Sequence, residues 1–198
     1  MSAKLNLPRV ADFLHEVGML KRTPRTGYQF LGTGSENVAE HSFRTAVIGY
    51  ILAKMAGADR EKTVYLCLFH DIHESRVGDM NYVNRLYNRT NERQALEDAL
   101  QGTGLEEEVL PLHEELDQNS TLEAGLAEDA DQLDLILNLK EQEDLGNRYA
   151  TRWLEYAWER VKTDYGRELA GAIFASDHTA WWFDSQDKRW WIERKHKK

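Results

Sequence analysis

The stretch from Leu66 to Asp79, "LCLFHDIHESRVGD", ends an apolar run in groups that bind metals and move protons: His70, Asp71, His73, Glu74 and Asp79. Neighbouring helical residues point about 100° apart, so His70 and Asp71 reach one ion only from the notch between them, near a helix end. The Gly78 turn marks such an end. Glu74 lies four residues after His70 and three after Asp71, which puts it on their side of the helix. Imidazole nitrogen with carboxylate oxygen suits one divalent ion of the set Mn, Fe, Co, Ni, Zn or Mg, and the presence of a single cysteine excludes a thiolate zinc finger. A lone His-Asp pair is more often a hydrogen-bonded helix end. Here a second apolar segment also carries polar groups, "AEHSFR" around His41, and unpaired charge buried between two such helices would be costly. The acid-rich "EDADQLD" adds carboxylates, of which periodicity leaves Asp129, Asp131 and Asp134 as candidates.

Helices must carry these groups. Prolines occur only at Pro8, Pro24 and Pro111, and no segment alternates apolar and polar residues for long, so the fold class is all-α, a helical bundle. The first helix runs from about Pro8 to Leu20 and buries Val10, Phe13, Leu14 and Val17. A loop follows, "KRTPRTGYQFLGTGSEN". A second helix starts at Asn37, whose side chain forms a capping box with Glu40. Its apolar stripe is Ala39, Phe43, Ala46, Val47, Tyr50 and Ile51, with His41 and Arg44 off it. A third helix from about Asp59 carries Val64 to Phe69, apolar all round and therefore central. Ser120 and Glu123 suggest a further capping box before a long helix striped by Leu122, Leu126, Ala130, Leu133 and Leu137. Tyr149, Trp153, Tyr156 and Val161 stripe the next one.

Length and charge bound the function. A chain of 198 residues fits one domain with a sizeable core. The longest apolar run, Ala46 to Ala53, is far short of the roughly 18 residues a membrane span needs. The amino-terminal segment does not read as a secretory signal, and Cys67 has no partner for an internal disulfide, so a reducing cytoplasm is expected. A net charge of −9 argues against a general nucleic-acid binder and leaves room for a small anionic substrate held by placed cations.

Taken in order, "NVAEHSFR", then "LFHDIHESRVGD" with His70 29 residues beyond His41, then "EDADQLD" with Asp131 60 residues beyond Asp71, resemble the HD-domain metal-dependent phosphohydrolases. "LKRTPRTG" and the HDxxExxxGD pattern make the likeness closest to the branch of 5'-deoxynucleotidases typified by the YfbR-type enzymes, over about Leu14 to Glu143. The resemblance implies His41, His70, Asp71 and Asp131 as ligands of one divalent metal ion. It implies Arg22 as the grip on the substrate phosphate, with Arg25 and Arg44 as neighbours. Glu74 and Asp79 would orient water and exchange protons. His73 would sit behind the ligands or at the surface, and His113 would pack. The implied reaction is hydrolysis of a deoxynucleoside 5'-monophosphate to nucleoside and phosphate by a homodimer. Runner-up readings are another HD nucleotide phosphohydrolase, for an alarmone or a cyclic nucleotide, or a non-catalytic nucleotide-binding module. The HD domain is expected over 1–176. In the remaining tail, 177–198, Trp181, Trp182, Trp190 and Trp191 are expected to dock on the bundle or on a second subunit.

Overall fold

A computed structural model of the chain describes residues 4–183. Pro8 opens α1 (Leu7–Val17), which tightens into a short 3₁₀ helix (Gly18–Arg22) and leads through a loop to α2 (Tyr28–Leu31). The long α3 (Val38–Ala56) and α4 (Arg60–Phe69) follow, then the short α5 (Glu74–Val77) and α6 (Tyr82–Tyr87). α7 (Glu92–Leu100) and α8 (Glu106–Gln118) precede the longest element, α9 (Leu122–Asp144). α10 (Arg148–Trp158), α11 (Asp164–Phe174) and α12 (Ala180–Phe183) end the described chain. The all-α expectation holds: among the described residues there is no strand, only an isolated antiparallel bridge between Pro24 and Asn37.

α9 is the axis. It packs against α3, α4, α8, α10 and α11, and Leu126, Ala130, Leu133, Ile136 and Leu139 along it are fully buried. A second, smaller core closes α1, α7 and α8 over the chain that follows α4, through Phe13, Ile72, Leu96, Leu100 and Val109. The capping box at Asn37 is as expected, with the Glu40 amide donating to Asn37 Oδ1 at 3.0 Å and the Asn37 amide donating to Glu40 Oε2 at 3.1 Å. The cap of α9 is instead Thr121, whose Oγ1 accepts from the Ala124 amide at 3.1 Å. Glu123 turns away to accept the Asp59 amide at 3.1 Å, joining the starts of α9 and α4.

Two helices present the face opposite to the one their large apolar residues suggest. On α3, Phe43, Val47, Tyr50 and Ile51 are exposed, while Val38, His41, Ser42, Thr45, Ala46, Ile48, Gly49, Leu52 and Ala53 are buried. Small residues let α3 approach α4 closely: a Cβ at Gly49 would lie 2.5 Å from Cys67 Sγ. On α10, Tyr149 and Tyr156 are likewise exposed, and Ala150, Leu154 and Ala157 face the core. α4 is half-buried rather than apolar all round, since Tyr65 and Leu68 reach solvent, and Leu14 of α1 does the same. Of the carboxyl-terminal tryptophans, Trp181 is 86% exposed and Trp182 packs edge-on against Phe183; Trp190 and Trp191 lie outside the described residues.

The close crossing of α3 and α4 gives a direct test of this packing. Gly49→Val overpacks the contact with Cys67 and should cost at least about 2 kcal/mol of unfolding free energy in urea titrations. Adding Cys67→Ala, which removes the facing sulfur, should recover part of that loss. A fully stable Gly49→Val protein would contradict the crossing.

Candidate metal centre

α4 stops at Phe69, and the chain tightens into turns bonded three residues apart, with the Glu74 amide donating to Asp71 O at 3.0 Å and the Ser75 amide to Ile72 O at 3.1 Å. This turn swings His70 and Asp71 to a common point, with His70 Nε2 3.1 Å from Asp71 Oδ2. His41, fully buried on α3, brings its Nε2 to 3.2 Å from His70 Nε2 and 3.5 Å from Asp71 Oδ2. Asp131 on α9 closes the group, its Oδ1 3.1 Å from His41 Nε2. Of the four side chains implied by the family likeness, His41, His70 and Asp71 bring ligand atoms within 4.8 Å of one another, and Asp131 adjoins them through His41, delivered by α3, the end of α4, and α9.

The donor set fits a cation. His70 Nδ1 donates to the Cys67 carbonyl at 2.7 Å, and His41 Nδ1 donates to Asp134 Oδ2 at 2.7 Å. A carbonyl and a carboxylate accept, so each Nδ1 carries a proton, and the His70 Nε2 lone pair faces His41 Nε2 across 3.2 Å beside two carboxylates. Such a cluster needs a positive charge at its centre. The same demand acts on His41 itself: burial opposes its charging, but its bonds to Asp131 and Asp134 prevail and push its pKa up to about 10. Burial works against ionisation of Asp71 and Asp131 too, yet the surrounding His41, His70 and Arg25 hold Asp71 far below the usual carboxylate range and bring Asp131 to about 2.

The three acids of "EDADQLD" have separate tasks. Asp131 faces the cluster. Asp134 orients His41 and accepts from Arg44 Nε and from Asn138 Nδ2 at 3.3 Å. Asp129 ties down the start of α11, accepting the Lys162 and Thr163 amides, both at 2.8 Å. Arg44, off the apolar stripe as expected, thus supports the ligand shell from behind and also reaches Glu141 at 3.1 Å.

Arg25 is the cation that enters the cluster. Its guanidinium lies 3.5 Å from Asp71 Oδ2, 3.7 Å from Asp79 Oδ1 and 3.9 Å from Asp131 Oδ1. Burial disfavours its charge, but those three carboxylates raise its pKa above the ordinary arginine value. The backbone fixes it: the Arg25 amide donates to Glu36 O at 2.9 Å, next to the bridge between Pro24 and Asn37, so the loop is anchored on the cap of α3. Arg22 is not brought to this group. It ends the 3₁₀ helix exposed, with Nη1 3.9 Å from Met19 Sδ. Arg25 differs from Arg22 in nothing that sequence alone displays. Only its place beside the α3 cap separates them.

Glu74 opens α5 and is buried beside Asp71, with Oε2 lacking any hydrogen-bond partner. Burial, reinforced by the charges of Asp71 and Asp79, pushes its carboxyl up to about 9. Asp79 follows the turn at Gly78, whose φ of 75° favours glycine, and accepts from the Thr26 amide at 2.5 Å and Thr26 Oγ1 at 2.9 Å. It therefore holds the Arg25 loop against the ligand turn. His73 is buried rather than exposed, its ring 5.4 Å from that of His113, and both line a side cavity that also touches His70, Asp71, Glu74 and Asp131. A second opening is a cleft of about 190 Å³ lined by Arg25, Glu74, Asp79, Asp131, Gln132, Tyr82, Trp153 and Arg160.

Comparison with known proteins agrees with this geometry. The chain matches the HD domain family over residues 17–172. It is 34% identical over 143 residues to the 5'-deoxynucleotidase HDDC2 of Bos taurus, covering 69% of each chain, and 33% identical over 143 residues to the human protein of that name. Among solved structures, a conserved hypothetical protein from Pyrococcus furiosus aligns with a TM-score of 0.70 and 30% identity, covering 84% of this chain and 99% of its own. A predicted metal-dependent phosphohydrolase from Magnetospirillum magnetotacticum shares the fold, with a TM-score of 0.63 at 22% identity over 85% of this chain and 91% of its own. A divalent metal ion is the cofactor that this likeness and the donor set imply. With the match spanning most of its length and the H…HD…D residues gathered around His41, the chain belongs to the HD domain family.

Proposed function

We propose that this protein is a metal-dependent 5'-deoxynucleotidase that hydrolyses deoxynucleoside 5'-monophosphates to nucleoside and inorganic phosphate. The observation that carries this reading is the clustering of His41, His70 and Asp71, with Asp131 against His41, beside a cleft lined by Asp71, Asp131 and the Arg25 guanidinium. The names of the HDDC2 relatives support it.

A divalent ion held by the two Nε2 atoms and the two carboxylates would supply a Lewis acid for the phosphoryl group and lower the pKa of an adjacent water. The remaining work falls to side chains. Arg25 offers a planar fork of donors, and its present partners stand at 3.5–3.9 Å, long enough for phosphate oxygens to compete for it. In this role it takes the place that the family likeness gives to Arg22. Glu74 has an unengaged Oε2 beside Asp71, placed to orient water and exchange a proton during hydrolysis. Asp79 positions Arg25 and Thr26 rather than touching phosphate. One ion with one guanidinium balances a single phosphate dianion, which suits a monoester.

We also assign the protein to a homodimer in the reducing cytoplasm. Phe43, Val47, Tyr50 and Ile51 form an exposed stripe at three-and-four spacing on α3, a face suited to a second copy. Cys67 is buried and unpaired, and no helix of the described residues is long and apolar enough to cross a membrane.

Metal-stripped protein supplied in turn with Mn, Co and Mg should release phosphate from deoxynucleoside monophosphates, and not from the matching di- and triphosphates. Silence on every monophosphate with every metal would end the proposal. Asp71→Ala should lose both metal and activity, whereas Glu74→Ala should keep its metal and lose about 10²–10⁴ in kcat. Arg25→Ala should cost far more kcat/KM than Arg22→Ala. Equal metal loss in Asp71→Ala and Glu74→Ala would move Glu74 into the ligand set, and a larger loss at Arg22 would return the phosphate grip to that residue. For the dimer, Phe43→Asp with Ile51→Asp should shift the sizing-chromatography peak to the monomer; an unchanged elution volume would remove α3 as the interface.

A further inference from the structure

Tyr82, Trp153 and Arg160 line the same cleft, and a continuous chain of contacts ties them to the metal cluster. Gln132 follows the ligand Asp131 and donates through Nε2 to Asp131 Oδ2 at 2.7 Å. Its Oε1 accepts from Arg160 Nη1 at 3.5 Å. Arg160 in turn bonds the Tyr82 hydroxyl and sits 4.7 Å above the Tyr82 ring. The Tyr82 ring meets the Trp153 indole at 6.0 Å with planes 63° apart. The indole edge is set by Gly27, where a Cβ would come within 3.1 Å of it.

Core packing accounts for only part of this pair, since Trp153 is half-buried against the main core and also lines the cleft. α10 meets the core through Ala150, Leu154 and Ala157, and Trp153 stands to one side of that face, half-buried at the cleft. Tyr82, at the first position of α6, is 45% exposed. α6 buries none of its residues. A cleft lined both by Arg25 and by two tilted aromatic rings suits a ligand with an anionic head and a flat aromatic body.

We propose that Tyr82 and Trp153, braced by Arg160, form the nucleobase subsite of this enzyme. The proposal rests on the nucleotidase reading and deepens it. Stacking uses the π-face that every base has, so the subsite takes purines and pyrimidines alike and separates nucleotides from sugar phosphates rather than one base from another.

The test compares metal-loaded wild type with Trp153→Leu on three substrates: thymidine 5'-monophosphate, deoxyadenosine 5'-monophosphate and deoxyribose 5-phosphate, which lacks a base. Trp153→Leu should raise KM for both nucleotides on the order of ten-fold with kcat little changed. Deoxyribose 5-phosphate should shift less than two-fold. Trp153→Phe, which keeps a ring, should recover most of the loss. Tyr82→Leu, on the opposing side, should give the same selective pattern and carries the comparison should Trp153→Leu fail to fold. Parallel losses on all three substrates, or no loss on the nucleotides, would overturn the subsite. Wild type inert toward every monophosphate would instead defeat the nucleotidase reading beneath it, so the two failures are told apart by the wild-type measurement alone.

Discussion

Asp134 is the side chain on which the centre of this bundle depends. It is fully buried, and a carboxylate in that position is tolerable only with its charge and lone pairs matched. His41 Nδ1, Arg44 Nε and Asn138 Nδ2 supply the match. In doing so Asp134 fixes the His41 ring and turns its Nε2 toward His70, Asp71 and Asp131. The hydrogen bond that makes the burial affordable is the same one that shapes the metal site, so folding and ligand placement are one requirement.

The helix crossings serve that bond. α3 must come close enough to α9 for His41 to reach both Asp134 and Asp131, and close enough to α4 for it to meet His70. Small residues provide the approach, Ala46, Gly49 and Ala53 on α3 and Ala127 and Ala130 on α9. Gly49 against Cys67 is the tightest of these contacts. Phe43, Tyr50 and Ile51 lie on the outside of α3.

Much of this was written in the sequence where chemistry, not periodicity, carries the signal. The Asn37–Glu40 box fixes where α3 begins because its two bonds are local, and the His-Asp pair belongs at a helix end because adjacent residues cannot otherwise share an ion. The inner face of α3 was not legible. Two apolar sets run along that helix, and the buried one, with Val38, Ile48 and Leu52 beside Ala46, Gly49 and Ala53, is the set that shares its face with His41. The choice between Arg22 and Arg25 was hidden for another reason. Both lie near the same loop, and the decisive bonds join Arg25 to Glu36 and Thr26 to Asp79, residues distant along the chain. Ser120 against Thr121 as the cap of α9 is a one-residue ambiguity of a kind common at helix starts, since either hydroxyl could serve.

Charge explains why the cleft is built from contacts of two kinds. A chain of net charge −9 does not attract a nucleotide from afar, and its ligand cluster adds buried carboxylates at the spot where the phosphate must go. Attraction has to be local, and the Arg25 guanidinium beside the candidate metal centre is the cation placed for it. Arg25, so close to Asp71, Asp79 and Asp131, is already partly satisfied, which limits what it can give to an anion. An uncharged source of affinity is then needed to hold a small substrate in register, and aromatic surface lining the same cleft provides it without adding to the charge imbalance.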